Sequence, residues 1–160
     1  MRNYDFRKFT TQDVGLLRRW LGMAHVRAWW PNAETYLAQA SADLINPAVD
    51  MRIVLLGGIP FAFARDFDIR AAKQAEFSDL PAGSRGLATF VGNPDFLGPG
   101  HAVGYIESRV RDLRQRFSLV AVGPNSTDTR SIAIFRQAGF HPRRLAGTND
   151  GKLVQVMTRL

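Results

Sequence analysis

The chain has 160 residues, 46% of them hydrophobic and 22% charged, so we expect one domain, spanning the whole chain, with a sizeable core. It has no cysteine, which excludes disulfides, thiolate nucleophiles and zinc–thiolate sites, and no metal site is predicted. The net charge of +7 fits a polyanionic partner, but the arginines are scattered, which does not favour nucleic acid. Because the N-terminus lacks an apolar signal core and the longest apolar run is interrupted by glycine and proline, we expect a cytoplasmic protein without a membrane segment.

The first half of the chain predicts strands and helices in alternation. Apolar spacing indicates helices, and Gly57-Gly58 is typical of a two-residue hairpin turn. The polar and irregular residues 69–84 are predicted to form a mobile loop. The predicted elements are a strand over 4–9, a helix ending at 21, a helix from 31 or 32 to 44, and strands over 51–56 and 59–67.

Two adjacent tryptophans, Trp29 and Trp30, follow the first helix. Adjacent side chains point in different directions on any regular element, so both cannot easily enter the core. Two interpretations stay open. Either one tryptophan is core and the other covers a loop, or the pair forms a pocket wall, which suits aromatic rings with one apolar and one wet side.

Residues 85–102 read RGLATFVGNPDFLGPGHA and predict an anion site. A buried strand over 87–91 leads into a glycine-rich turn and then into a helix from about residue 100 to 116. The first N–H groups of a helix have no intrahelical partner, and glycine allows a phosphate to approach closely. We interpret this turn as the pyrophosphate site of a nucleotide-derived cofactor, although Pro99 within it offers no N–H.

The last third predicts a strand, a helix and a second hairpin. Asp128 is a good N-cap for a helix that ends at Ala138, and Gly139 suits the left-handed position after it. Asp150-Gly151 indicates a hairpin turn. The predicted strands are 117–122, 140–146 and 152–160.

Three motifs in this order resemble the GNAT superfamily of N-acetyltransferases. Residues 97–102, LGPGHA, resemble the family motif Q/R-x-x-G-x-G/A, and the segment from Gly123-Pro124 to Phe140 resembles D-P … N-x-R-A-I … Y-x-x-A-G-F. Within the superfamily, residues 85–100 and His25 to Trp30 are most similar to aminoglycoside 6'-N-acetyltransferases and siderophore-pathway acyltransferases.

The resemblance implies an α/β fold: a central mixed, mostly antiparallel sheet splayed at two parallel strands and flanked by about four helices. It implies acetyl-CoA as cofactor and a small-molecule amine as substrate. The residues it assigns to the cofactor are Phe90, Val91, Gly92, Leu97, Gly98, Gly100, His101, Ala102, Val103, Asp128 and Phe135. The pantetheine arm would pair with strand residues 90–92. The residues assigned to the substrate are Trp29, Trp30, Arg65, Phe67 and Ala88.

The chain departs from these relatives at the chemical positions. Ala88 stands for the acid of R-G-I-D, Gly123 for the aspartate of D-P, and Phe135 for the tyrosine that protonates the thiolate. Arg65 is predicted to face the pocket. These changes favour a neutral or anionic acceptor over a polycationic aminoglycoside.

A replacement base is predicted next to Arg65. Asp68, or Asp66, would serve if a bulge turned it inward. Two functions stay open: an acetyl-CoA-dependent N-acetyltransferase, or a catalytically silent module of the same fold that binds CoA or a partner.

Overall fold

The structure is a computed structural model that describes residues 3–98 and 100–160. Within these residues the chain forms six α-helices and seven strands. The helices are α1 (Val14–Leu21), α2 (Ala24–Arg27), α3 (Ala33–Asp43), α4 (Ile69–Ala72), α5 (His101–Leu113) and α6 (Thr129–Gln137). The strands are β1 (Asp5–Lys8), β2 (Val49–Leu56), β3 (Ile59–Asp68), β4 (Ser84–Val91), β5 (Leu119–Val122), β6 (His141–Gly147) and β7 (Leu153–Arg159).

The strands form one mixed sheet in the order β1-β2-β3-β4-β5-β7-β6. Strands β4 and β5 are parallel, whereas β1 with β2, β5 with β7, and β6 with β7 are antiparallel. The parallel ladder joins Ser84–Gly86 to Leu119–Ala121 and stops there, although both strands continue. The predicted mixed α/β fold with two parallel strands that separate is therefore confirmed.

The backbone contacts divide the chain into two units. The first contains residues 1–65 and 89–101, and the second contains residues 66–88 and 102–160. Strands β3 and β4 each contribute one part to each unit. In the described part of the chain, no helix is long and apolar enough to cross a membrane. The cytoplasmic location expected from the sequence stays a prediction.

The core of the first unit packs α1 and α3 against β2, β3 and the end of β4. Trp20 on α1 and Phe63 on β3 both contact Phe90 on β4, with ring centroids 6.4 and 5.7 Å apart. Leu17 and Leu21 of α1 are almost completely buried in the same cluster. This packing explains why α1 is amphipathic, since its apolar positions recur on one face.

The second unit contains a buried network of charges. Asp66, which is fully buried, accepts hydrogen bonds from Arg85 Nε at 2.8 Å and from Arg109 Nη2 at 2.7 Å. Arg85 also lies over the ring of Phe117, 4.8 Å from its centroid. Removing one member of such a network leaves a buried charge uncompensated, which costs about 3–5 kcal/mol. The network therefore ties β3, β4 and α5 together.

The turn chemistry predicted from the sequence is confirmed at Gly57-Gly58 and at α6, and the second predicted hairpin is formed by β6 and β7, with Gly151 at φ of 84° in the connection. Gly57 and Gly58 have φ of 57° and 80°, the positive values of a two-residue hairpin turn. Asp128 accepts a hydrogen bond from the backbone N–H of Ser131, and Gly139 has φ of 95°. These positions depend on local backbone geometry, which a sequence motif specifies directly.

The predicted irregular loop over residues 69–84 is wrong. This segment contains α4 and a 3₁₀ turn at Ala75–Phe77, and Ile69, Phe77 and Leu80 are buried. Three buried side chains at uneven spacing produce no helical or strand periodicity, so no sequence pattern indicated that this segment packs.

The glycine at position 92 is required by space rather than by a positive φ. A Cβ on Gly92 would lie 2.1 Å from the ring of Trp20. We expect Gly92→Ala to lower the free energy of unfolding by about 1–3 kcal/mol, because the ring must move within a packed core. Urea unfolding measures the change.

Gly15→Ala is the matched control, because nothing lies within 4 Å of a Cβ at Gly15 in α1. This change should stabilise the protein by about 0.5 kcal/mol through helix propensity. Equal stabilities of wild type and Gly92→Ala would contradict the close approach to Trp20.

Candidate active site

The end of β4 presents one backbone carbonyl at an edge that β3 does not cover. The N–H of Gly92 donates to the carbonyl of Phe61 on β3 at 2.8 Å, and the next N–H, that of Asn93, donates to the same oxygen. The carbonyl of Val91 belongs to the same peptide group as the Gly92 N–H. Because none of the described peptides is cis, this carbonyl points away from β3.

His25 holds the Val91 carbonyl. Its Nε2 lies 3.0 Å from the carbonyl oxygen. A carbonyl only accepts hydrogen bonds, so Nε2 carries a hydrogen and donates it. His25 lies on the short helix α2 and is half-buried.

The predicted pairing of pantetheine with residues 90–92 needs correction. The Gly92 N–H is taken by Phe61, and residues two apart along a strand face the same edge, so the backbone groups of Phe90 also face β3. Among these three residues, only Val91 offers backbone groups to the open edge. The side chain of Phe90 is buried and contacts the rings of Trp20, Trp30 and Phe63.

The glycine-rich turn leads into α5 as predicted. Leu97 follows the 3₁₀ turn Pro94–Phe96 and is half-buried, whereas Gly98 and Gly100 are exposed, with open space around a Cβ built on either. Gly100 has φ of 88° and immediately precedes the first residue of α5. Pro99 lies outside the described residues.

His101, Ala102 and Val103 form the first turn of α5 and are half-buried. The ring of His101 is held in an aromatic group rather than fully solvated. Its Nδ1 lies 3.3 Å from the hydroxyl of Tyr4, and its centroid lies 5.0 Å from that of Phe96.

A small pocket in the first unit is lined mainly by apolar and aromatic side chains. It includes Trp30 and Arg65 from the predicted substrate set. Its lining residues are Leu17, Leu21, Trp30, Tyr36, Gln39, Ala40, Asp43, Met51, Phe63, Arg65 and Phe90. Trp30 packs against Tyr36 and Phe90, with centroids 4.9 and 5.0 Å apart, while Trp29 is 42% exposed and outside the lining. Of the two adjacent tryptophans, only Trp30 therefore lines this pocket.

Arg65 does not act as an uncompensated cation in this pocket. Its Nε donates to Asp43 Oδ2 at 2.7 Å, and both residues are buried. The pair makes this part of the lining close to neutral. Arg65 therefore gives no support to the anionic part of the prediction of a neutral or anionic acceptor, because its charge is paired with Asp43 on α3, which the sequence did not show.

Neither aspartate predicted as a replacement base is available as expected. Asp66 is fully buried between Arg85 and Arg109. Asp68 is exposed at the end of β3, where its Oδ1 accepts a hydrogen bond from the N–H of Arg70 and so caps α4. In the described structure its carboxylate has a capping role, and no contact supports the catalytic assignment.

The remaining predicted residues of the second unit have packing or capping roles. Phe135 is buried against Phe140, with centroids 5.5 Å apart, and Asp128 caps α6. Phe67 is buried against Phe77 and covers Gly86, where a Cβ would lie 2.3 Å from its ring. Ala88 lies half-buried near the end of β4.

A buried carboxylate that the sequence did not single out lies in the 3₁₀ turn at Ala75–Phe77. Glu76 is 9% exposed, and among the described residues its Oε1 has no hydrogen-bond partner. Burial, with a smaller contribution from the negative charge of Asp150, raises the pKa of Glu76. Its segment is attached to β6 because Arg144 Nη2 donates to the Glu76 carbonyl at 2.9 Å.

Sequence reasoning missed three residues that define these sites: His25, Asp43 and Glu76. A signal existed only for His25, which begins the His-x-x-x-Trp-Trp motif. Asp43 and Glu76 are charged residues without a motif, and their burial depends on residues distant in the chain.

Comparison with known proteins decides the family. The Acetyltransferase (GNAT) domain family matches residues 10–147, which is most of the chain. The chain belongs to this family. The glycine turn before α5 and the parallel pair β4–β5 are therefore the GNAT features that the sequence resemblance implied.

The relatives of this GNAT chain include aminoglycoside acetyltransferases. Aminoglycoside N(6')-acetyltransferase type 1 of Klebsiella pneumoniae is 24% identical, over 96% of this chain and 82% of that protein. The structure of AAC(6')-Ib in complex with ribostamycin and coenzyme A is similar with a TM-score of 0.87 and 22% identity, over 98% of this chain and 93% of that one. Aminoglycoside N(6')-acetyltransferase of Legionella pneumophila has a TM-score of 0.84 and 18% identity, over 99% and 92% of the two chains.

We expect Glu76→Gln to stabilise the protein increasingly as the pH rises. A raised pKa means that the folded state binds the proton more tightly than the unfolded state does, so the free energy of unfolding of the wild type falls as the pH rises from the unfolded pKa through the folded pKa. Glutamine removes this titration. Urea unfolding between pH 4 and about 8 should show the gap between variant and wild type widening with pH.

Glu107→Gln is the control, since it removes the same charge from a half-buried position on α5. A gap that widens equally in both variants would indicate a general charge effect. A gap for Glu76→Gln that does not change with pH would refute the effect of burial.

Proposed function

We propose that this protein is an acetyl-CoA-dependent N-acetyltransferase that acts on a small-molecule amine. The observation that carries the proposal is the combination, in a GNAT-family chain, of a backbone edge at Val91 that no described strand pairs with and an exposed glycine turn before α5. Two similar structures, both of AAC(6')-Ib, contain acetyl-CoA or coenzyme A. These likenesses favour the enzyme over a catalytically silent module.

The residues fit the two chemical parts of this cofactor. The amide groups of the pantetheine arm suit the backbone edge at Val91, and the pyrophosphate suits the N-terminal turn of α5. The open space around Gly98 and Gly100 allows phosphate oxygens to approach the backbone. Half-buried Ala102 and Val103 lie in the turn where unpaired N–H groups and the helix dipole favour an anion.

The cofactor, when bound, supplies an acetyl thioester, and the protein must orient it and stabilise charge on its carbonyl oxygen. The Val91 N–H faces the same edge as the Val91 carbonyl and is the donor we assign to this role. No described side chain is assigned as general base or as acid for the thiolate, since Phe135 replaces the family tyrosine and Asp66 is held by two arginines. Orientation and backbone donation therefore provide the main contribution.

We propose an acceptor with few positive charges. Two acidic positions of the related motifs are Ala88 and Gly123 here, and the carboxylate beside Trp30, that of Asp43, is neutralised by Arg65. The cavity next to that pair has room for about one water molecule, so it is not itself the acceptor site. A polycationic aminoglycoside favours carboxylates that replace its hydration, and this chain lacks two of them.

The pyrophosphate site is tested by Gly100→Asp compared with Gly100→Asn. Both side chains tolerate the left-handed conformation of Gly100 and have nearly the same shape, so they differ mainly in charge. We expect the aspartate variant to bind acetyl-CoA at least about tenfold more weakly than the asparagine variant, because its carboxylate repels the pyrophosphate. Titration calorimetry at low and high salt measures the difference, which should shrink as salt screens it.

Equal affinities of the two Gly100 variants would place the pyrophosphate elsewhere. The absence of any acetyl-CoA binding to the wild type would refute the proposed function itself.

The acceptor is tested by thiol release with a panel of amines at several pH values. We expect kcat/KM for aromatic and alkyl monoamines to exceed that for aminoglycosides such as kanamycin and ribostamycin by about tenfold or more, because Ala88 and Gly123 stand at the two acidic positions of the related motifs. Efficient turnover of the aminoglycosides would contradict this expectation. Binding without thiol release from any amine would favour the silent module.

A further inference from the structure

We propose that His25 is a positioning residue for acetyl transfer: by holding the Val91 carbonyl, it restricts the pantetheine arm to one pairing position along β4. The inference rests on the proposed function and concerns the contact at 3.0 Å between His25 Nε2 and the carbonyl oxygen.

Two of the three relevant backbone groups are already occupied. The Gly92 N–H is bonded to Phe61, and the Val91 carbonyl is bonded to His25. The Val91 N–H points to the same uncovered edge as its carbonyl. With His25 in place, one lone pair of the Val91 carbonyl is taken and the approach to it is narrowed, so an arm that pairs here is directed to present an acceptor, the thioester carbonyl oxygen, to this N–H.

The surroundings keep His25 and the strand end from shifting. The ring of Trp20 lies directly over Gly92, with no room for a Cβ. Val26, the residue after His25, is buried in the same core cluster as Trp20. The short helix α2 that carries the histidine is thus fixed to the core on which the strand end rests.

Loss of the histidine would change the pairing rather than remove the binding site. A free Val91 carbonyl would accept a hydrogen bond from water or from the arm itself, so a second pairing position would compete with the first. A displacement of about 1 Å at the reacting atoms can cost about 10²-fold in rate, although binding is retained. The effect should therefore appear in kcat and much less in affinity.

The test compares three substitutions of His25. The amide nitrogen of glutamine occupies nearly the place of Nε2, whereas that of asparagine occupies nearly the place of Nδ1, and alanine has no donor. With acetyl-CoA and the best amine of the panel, we expect kcat to fall about 10- to 100-fold in His25→Ala and His25→Asn. His25→Gln should keep most of the wild-type kcat, and the Kd for acetyl-CoA should change by less than about threefold in all three.

The pH profile separates positioning from proton transfer. Nε2 carries its hydrogen in the cation and in the neutral tautomer that bonds Val91, so positioning does not depend on the charge of the ring. The rates of acetyl transfer by wild type and by His25→Gln should therefore fall in the same way as the pH is lowered. If the rate of wild type falls at low pH and that of His25→Gln does not, His25 acts as a general base and the inference is overturned.

A measurement on the free protein tests the contact without any turnover. The side-chain ¹H–¹⁵N NMR spectrum should show Nε2 of His25 protonated and Nδ1 unprotonated at high pH. His141→Ala is the control, because His141 is exposed on β6. It should leave kcat and the signals of His25 unchanged.

The outcomes distinguish the two levels of the proposal. If the wild type transfers acetyl to no amine, the proposed function fails and this inference fails with it. If the wild type is active, the inference alone is overturned by unchanged kcat in His25→Ala, by equal rescue from asparagine and glutamine, or by an unprotonated Nε2.

Discussion

The peptide group between Val91 and Gly92 is the constraint on which the site depends. A trans peptide directs its N–H and its C=O in opposite directions, so one peptide serves two purposes. Its N–H donates a hydrogen bond to the Phe61 carbonyl on β3. Its C=O points to the opposite edge of β4, where it accepts a hydrogen bond from His25. The ring of Trp20 lies so close to Gly92 that no side chain fits there. The strand end is therefore rigid and presents a defined edge to a ligand.

Buried charges in both units are arranged as arginine–carboxylate pairs, and this limits the chemistry available. Asp66 is shared by Arg85 and Arg109, and Arg65 is bonded to Asp43. Each carboxylate is thereby hydrogen-bonded to a buried guanidinium, so these oxygens are directed into the packing of the protein. Glu76 differs, because burial raises its pKa and one of its oxygens has no partner among the described residues. Because burial disfavours its charged form, ionised Glu76 lowers the stability of the protein at neutral pH. Arg144 donates to the backbone carbonyl of Glu76 and so attaches the segment to β6.

Features encoded by a few adjacent residues could be predicted from the sequence, whereas those that depend on distant partners could not. The turn at Gly57-Gly58 and the cap at Asp128 were predicted correctly, since each depends on local backbone geometry. The family, the glycine turn before α5 and the mixed sheet followed from motifs. The packing of residues 69–83 was missed because its buried residues have no period. The partner of Arg65 lies 22 residues away on another element, so the sequence showed a cation where the structure has a neutral pair.

Gly123, which stands where the related motif has an aspartate, lies against the aromatic packing of the second unit. A Cβ at Gly123 would lie 3.4 Å from the ring of Phe77 and 3.5 Å from Val154, which is ordinary van der Waals contact. Phe77 in turn packs on Phe67, which covers Gly86. Space at the Cβ therefore does not explain why the aspartate of the related motif is absent at position 123. The difference at this position is one of charge, and it leaves the chain with one carboxylate fewer than the related motif carries.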